Sequence, residues 1–290
     1  MSIPDLRIIG ESINDSVPST HALFEANDLQ GVVEVARIQA EKGAAFIDVN
    51  VGLNTPGFMA DVVKAIQKHI NLPLSIDTPD PELAAAGLEA YDSELADGQI
   101  PILNSISEAR LEMFDLYEQQ AYIPILLITE GLDDNGKALM NKTAEHTYST
   151  AKSLVDIART RMGGVANNQL ILDPGIAPIS SDSEGDFKRL MDTLTMIHAD
   201  DDLDGVDMSV GLSNFTVMLP PKTADGLFVR SSLESAFLTL AMPLGLRTVI
   251  GSVRRKYRIL DDDHPALICL REVLELEGFD VLVRVMSFYS

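Results

Sequence analysis

Seven short apolar runs of this chain end in side chains that hydrogen-bond or hold a proton. The endings are Gly10-Glu11-Ser12-Ile13-Asn14, Asp48-Val49-Asn50-Val51-Gly52, Ser75-Ile76-Asp77-Thr78, Leu103-Asn104-Ser105, Thr129-Glu130, Leu172-Asp173-Pro174-Gly175 and Gly211-Leu212-Ser213-Asn214. No Lys, Arg or His sits among them. A carboxylate accepts two N–H bonds side by side, as from a 2-amino-3-H pyrimidinone, and an Asn amide both donates and accepts. Together they read the edge of a flat heterocycle. The endings lack a phosphate-cradling glycine loop, a cationic clamp and a His-based nucleophile relay, so phosphoryl transfer and triad hydrolysis find no support. Polar residues also cap strands and open loops. Asp77 has such a reading as a cap for a helix starting at Pro81, and Asp173 as half of an Asp-Pro turn.

These groups act together only if the runs are neighbouring strands. Leu6–Gly10, Ala45–Asn50, Leu74–Asp77, Ile100–Asn104, Ile123–Thr129, Leu170–Asp173, Ser209–Ser213 and Thr248–Ile250 are short and apolar on both faces, which predicts buried parallel strands. Between them, helices are predicted over Asp28–Lys42, Met59–His69, Pro81–Tyr91, Glu108–Gln120, Glu145–Met162, Asp186–His198, Ser231–Leu244 and Pro265–Leu276. Gly43 and Gly163-Gly164 are stop signals, and Pro81 suits a first helical turn. Strict alternation of this kind predicts a (β/α)8 TIM barrel, with a doubly wound sheet as the alternative. No composition shift marks a second domain, so residues 1–290 read as one. The apolar tail 279–290 reads as an extra strand or an interface segment. Barrel active sites lie at the C-terminal strand ends, which places the endings on one rim.

The 290 residues are 46% hydrophobic and 23% charged, which excludes a disordered chain. A formal charge of −22 repels phosphate backbones and anionic lipid, arguing against nucleic-acid and membrane partners. The single cysteine, Cys269, excludes an intrachain disulfide and reads as a core residue. The N-terminus lacks a signal-peptide pattern, and no apolar run approaches the ~20 residues that span a bilayer. A soluble, cytoplasmic protein is expected. Asp200-Asp201-Asp202-Leu203-Asp204-Gly205 opens like a calcium loop, but Gly211 stands where the loop needs a bidentate Glu. It reads as a solvated acidic loop, as do Asp133-Asp134-Asn135-Gly136 and Asp261-Asp262-Asp263. The five histidines show no ligand spacing, so no metal site is expected.

Gly10-Glu11-x-x-Asn14, Asp48-Val49-Asn50-Val51-Gly52, Ser75-Ile76-Asp77, Leu103-Asn104-Ser105, Leu172-Asp173-Pro174 and Gly211-Leu212-Ser213-Asn214 resemble, in order and in register with the strands, the pterin-binding barrel family. The likeness runs from about Ile8 to Gly251 and is closest to methyltetrahydrofolate:corrinoid-protein methyltransferases. It implies that Asp77, Asn104 and Asp173 hydrogen-bond the pterin ring and that Asn214 contacts N5, where the methyl group is bound. It further implies that Ser213 and Gly211 line that pocket, and that Glu11, Asn14 and Asn50 occupy matching family positions. Dihydropteroate synthases of the same fold carry a basic Ser-Arg-Lys-type segment after strand seven and an Arg-Val-His-type motif at strand eight. Here those stretches read Gly211-Leu212-Ser213-Asn214-Phe215 and Val249-Ile250-Gly251-Ser252. The loop Phe215-Thr216-Val217-Met218-Leu219-Pro220-Pro221 is more apolar than in the methyltransferases, and it lies where a folate tail or protein partner would approach.

The resemblance implies tetrahydrofolate or 5-methyltetrahydrofolate as substrate, and a corrinoid cobalt on a partner protein, since no cobalamin-binding Asp-x-His-x-x-Gly signature occurs in this chain. It also implies a homodimer. An N5-methyl amine leaves poorly, so a donor whose bond to N5 strengthens in the transition state lowers the barrier selectively. Asn214 suits that role, with the proton coming from water through the polar rim. A synthase-type pterin enzyme and a non-catalytic folate-binding barrel are the alternatives. The basic stretch Arg254-Arg255-Lys256-Tyr257-Arg258 reads as a solvated loop or as an attractor for folate-tail carboxylates or an acidic partner.

Overall fold

The computed structural model describes residues 3–133, 135–224 and 226–290. Eight parallel strands close a barrel: β1 (Arg7–Asn14), β2 (Phe46–Asn50), β3 (Leu74–Asp77), β4 (Ile102–Ile106), β5 (Ile123–Leu127), β8 (Ile171–Asp173), β9 (Asp207–Gly211) and β10 (Leu246–Gly251), with β10 pairing β1. The antiparallel hairpin β6 (Glu130–Leu132) and β7 (Ala138–Met140) is inserted after β5. The (β/α)8 barrel expected from the strand–helix alternation is therefore the fold, and the doubly wound sheet is excluded by closure.

Two apolar layers explain why the strands are apolar on both sides over most of their length. Ile9, Phe46, Ile102, Ile125 and Ile171 pack against one another in a small cluster drawn from five strands, with Ile250 against them. This is the plug of the barrel. The larger core includes Ile47, Val49, Ile76, Leu103, Leu126, Leu172 and Val210, and it packs under the outer helices. Alternation along a strand then dictates what lies above the plug. Two residues on from Phe46 is Asp48, from Ile102 Asn104, and from Ile171 Asp173.

The helices are α1 (Pro18–Glu25), α2 (Leu29–Glu41), α3 (Pro56–Gln67), α4 (Pro81–Ala90), α5 (Ala144–Arg161), α6 (Asp186–His198), α7 (Leu212–Phe215), α8 (Val229–Ala241), α9 (Pro265–Val273) and α10 (Phe279–Tyr289). Asp80, not Asp77, caps α4, its Oδ1 accepting from Glu82 N at 2.8 Å. That leaves Asp77 available to the rim. Glu108–Glu118 is a 3₁₀ segment kinked at Arg110 rather than the expected α-helix. At roughly three residues per turn, Leu111, Phe114 and Tyr117 form one row and Met113 and Leu116 the next.

The tail is neither strand nor loop. It is α10, whose Val281 and Val285 pack inward while α10 rests on α9 and on the turn Ile179–Ser181. Asp133 closes the β6–β7 turn by accepting from the backbone N of Asn135 and Lys137; Asp134 lies outside the described residues. Cys269 is buried in α9, where burial pushes its thiol up to about 11, consistent with a packing role. Among the described residues, no helix is long and apolar enough to cross a membrane.

Candidate active site

Register places the strand-end residues side by side. Asn14 pairs with Asn50, Asp48 with Ser75, Asp77 with Asn104, and Leu127 with Asp173. Asn50 donates Nδ2–H to Asp77 Oδ2 at 2.9 Å, and its Oδ1 accepts from Gly52 N. Asp173 Oδ2 accepts from Ser209 Oγ and its Oδ1 from Gly175 N, both at 2.8 Å. The Asp-Pro turn and the rim position are thus both realised by one carboxylate. Glu11 accepts from Ser213 Oγ across the β1–β9 side at 2.5 Å. Asn14 stands on the same rim, but its Oδ1 is engaged by the N and Oγ of Ser16, which opens the turn into α1.

Asn104, Asp173, Gly211 and Asn214 line one cavity of about 410 Å³, together with Leu127, Asn141 and Arg189. The fold therefore brings Asn104 of β4, Asp173 of β8 and Asn214 of the turn after β9 around a single space, whose lining does not include Glu11, Asn14, Asn50, Asp77 or Ser213. Asn214 lies exposed on the one-turn helix α7, and its side chain makes no hydrogen bond among the described residues. A Cβ at Gly211 would come within 2.9 Å of Asn214 Nδ2, so only glycine leaves the amide where it is. Val217 and Met218 stand exposed on the following loop.

The electrostatics of the rim follow from burial. Burial raises Asp173 to about 6, with the Ser209 and Gly175 hydrogen bonds pulling it down. Burial also raises Glu11, opposed by Ser213 and by the Arg255 charge. Burial, then the neighbouring Asp77 charge, pushes Asp48 well above the usual carboxylate range. Asp77 is raised by burial too, but the hydrogen bond from Asn50 holds it back. Two adjoining buried carboxyls titrate as a pair, and burial disfavours ionising both.

Asp48 was legible only as part of a motif, not as a site residue. Its signal was parity: it shares a strand face with Asn50, as Ser75 does with Asp77. Asp48 Oδ1 and Ser75 Oγ are buried without a hydrogen-bond partner. Also missed were Ser209 and a second layer behind α7. Arg255 turns inward from the basic stretch to pair with Glu234, which is fully buried on α8. The rest of that stretch divides: Arg254, Lys256 and Arg258 face solvent.

The acidic loop at Asp200 is neutralised by protein cations. Asp200 accepts from Tyr148 Oη and Lys152 Nζ, and Asp202 pairs with Lys152 and Arg159, which holds Asp200 down at about 2. Among the described residues no group of three or more His, Cys, Asp or Glu is arranged to hold a metal. A larger cleft of about 610 Å³ lies at the opposite end of the barrel, between Arg7, Asp204, Asp207 and Arg247. Arg7, Asp207 and Thr248 bond one another there, tying strand starts together, and no strand-end residue reaches it.

The model for pterin binding enzymes matches residues 13–251, which span seven of the eight barrel strands and the last two residues of β1. The chain belongs to the pterin binding enzyme family. A methylcorrinoid:tetrahydrofolate methyltransferase from Eubacterium limosum is 26% identical over 257 residues, covering 84% of this chain and 83% of that protein. Among solved structures, Xanthomonas albilineans dihydropteroate synthase superposes with a TM-score of 0.57 at 17% identity, covering 95% of this chain and 94% of its own. Yersinia pestis dihydropteroate synthase gives a TM-score of 0.56 at 13% identity over 86% of this chain and 89% of its own. Such likenesses establish the barrel; within the family, the site chemistry distinguishes the reactions.

Proposed function

We propose that this family member moves a methyl group between N5 of tetrahydrofolate and the cobalt of a corrinoid held by a separate protein. The observation that carries the reading is the amide of Asn214, unpaired and exposed beside Asn104 and Asp173 on one cavity. The chain-length relationship to a methylcorrinoid:tetrahydrofolate methyltransferase supports it. Asp77, Asn104 and Asp173 bind the pterin edge, with Gly211, Ser213, Glu11, Asn14 and Asn50 completing the pocket. Reduced cobalt supplies the nucleophile that takes the methyl group, and N5 takes up a proton from water. Asn214 Nδ2 donates to N5 and stabilises the departing nitrogen, a bond that strengthens as N–C breaks. Reduced cobalt also suits the cytoplasmic location expected from the sequence. The synthase reading is disfavoured because the stretches Gly211-Leu212-Ser213-Asn214-Phe215 and Val249-Ile250-Gly251-Ser252 carry no cation where the synthases have basic motifs.

The test is methyl transfer between 5-methyltetrahydrofolate and free cob(I)alamin, followed by loss of the cob(I) spectrum and formation of methylcobalamin. Protein-dependent turnover is expected. Tight folate binding without turnover, on cob(I)alamin and on corrinoid proteins alike, would establish a non-catalytic folate-binding barrel. Condensation of a pterin pyrophosphate with p-aminobenzoate would establish a synthase.

The reading includes a homodimer. Phe279, Val283 and Met286 recur at helical spacing on the outer face of α10 and are all exposed. Light scattering at micromolar concentration should give twice the chain mass, and Val283→Glu should lower it to one. A wild-type mass equal to one chain sinks the dimer.

A further inference from the structure

Asn214 poses a positioning problem. Its helix has a single turn, which is too short to hold a shape by its own hydrogen bonds. Its side chain is exposed and has no partner among the described residues. A donor that acts on one developing charge needs its geometry fixed to about half an ångström by the shell behind it. The residues on either side of Asn214 supply that shell. Ser213 is anchored to Glu11 on β1. Thr216 donates its hydroxyl to Glu234 Oε1 at 2.5 Å, and Arg255 Nη1 reaches both Thr216 Oγ1, at 3.2 Å, and the same Glu234 carboxylate. Glu234 is fully buried and its Oε2 has no hydrogen-bond partner, so Thr216 and Arg255 are what hold this charge. One turn earlier on α8, Arg230 clamps the carbonyl of Leu219 with two N–H bonds at 3.0 and 2.8 Å.

We propose that Thr216, Glu234 and Arg255 are positioning residues that brace the α7 turn against α8 and the loop after β10, and thereby fix the Asn214 amide over the cavity. The proposal rests on the reading of Asn214 as the donor to N5. A buried ion pair replaced by apolar side chains is often neutral for stability. This pair therefore calls for an explanation beyond stability, and the turn it holds supplies one.

The test uses the full chain with 5-methyltetrahydrofolate and cob(I)alamin, in single turnovers at saturating folate, with folate affinity by calorimetry and thermal melting as controls. Thr216→Val keeps the side-chain shape and removes the hydroxyl. It should lower the saturated rate about tenfold with affinity within about twofold, and Thr216→Ser should restore the rate. Arg255→Met should behave like Thr216→Val. The double variant Asn214→Ala/Thr216→Val should be no slower than Asn214→Ala alone, because a misplaced amide and a missing one lose the same bond. Amide exchange over residues 212–217 should quicken in Thr216→Val. The brace is overturned if folded Thr216→Val keeps its rate while Asn214→Ala is slow. It is equally overturned if rate and affinity fall together, if the two substitutions multiply, or if exchange is unchanged. A near-normal rate in Asn214→Ala instead removes the N5 donor role, and the brace with it. Should Arg255→Met not fold, the isosteric Thr216→Val alone decides.

Discussion

Asp77→Ala and Asp173→Ala should each weaken tetrahydrofolate binding by roughly ten- to more than a hundredfold, since loss of a charged hydrogen-bond partner costs about 1.5–3 kcal/mol. Each carboxylate is already oriented. Asn50 holds Asp77, and Ser209 and Gly175 hold Asp173, so the ligand meets fixed acceptors. The buried Asp173 adds a pH signature. In the proposed complex ligand N–H donors bind its ionised form, and burial raises its carboxyl to about 6. At pH 5 about nine in ten copies are protonated, so affinity should drop about tenfold below its value at pH 7.5. Asp173→Asn should abolish that step. Stability moves the other way. A carboxyl whose folded value is raised above the unfolded one stabilises the fold below the unfolded value and loses that contribution as pH rises through about 6. Asp173→Asn should therefore melt higher than the parent at pH 8 while binding folate less well, which separates a lost contact from a damaged fold. Calorimetry showing unchanged affinity in both alanine variants would sink the pterin assignment.

The barrel was legible because a parallel strand buried on both faces leaves a distinctive mark: a short apolar run with a polar residue where it surfaces. Leu74–Asp77 appears identically as a predicted and an observed strand, since Pro73 and Thr78 bound it sharply. The same double burial hid part of the site. In Phe46-Ile47-Asp48-Val49-Asn50 alternation puts Phe46, Asp48 and Asn50 on one face and Ile47 and Val49 on the other, but nothing in the run alone says which face is the interior. Once Phe46 is seen in the barrel plug, Asp48 must lie between plug and mouth, where burial pushes its carboxyl upward.

Elements away from the strands were read less well for different reasons. Glu108–Glu118 follows a tighter turn than the helical period assumed, and its apolar spacing suits either turn. The tail was judged by composition alone, and Val281 and Val285 became a buried stripe only when α9 lay beside them. The Glu234–Arg255 pair was illegible in principle. Glu234 reads as one charge on a helix, and Arg255 as part of a basic run, until β10 and α8 carry them together behind α7. The residues proposed to touch the ligand come mainly from strand ends and announce themselves by type and place; those proposed to hold them still are defined only by the packed fold.

Asn214→Ala should lower the saturated methyl-transfer rate at least ~10²-fold while changing folate affinity far less, by analogy with removal of one preorganised donor from an atom where charge develops. In the ground state N5 of the methylated folate is a weak acceptor, and a hydrogen bond from a neutral amide adds little. As the methyl group leaves, the nitrogen gains electron density and the same bond strengthens, so the lost stabilisation falls on the transition state. The site supports a selective effect. Asn214 is exposed and unpaired, and Gly211 keeps open the space it occupies, so truncation neither empties a core nor strands a buried partner. Melting should accordingly change little. If Asn214 instead served to cap the turn, stability would drop, or rate and affinity would drop together. Single-turnover kinetics at saturating 5-methyltetrahydrofolate separate these outcomes, and a folded variant with a near-normal rate removes Asn214 from the chemistry. Asn214→Asp gives the complementary check: a carboxylate accepts but cannot donate when ionised, so it should be as slow as the alanine variant at neutral pH and should recover rate as the pH falls through its own titration.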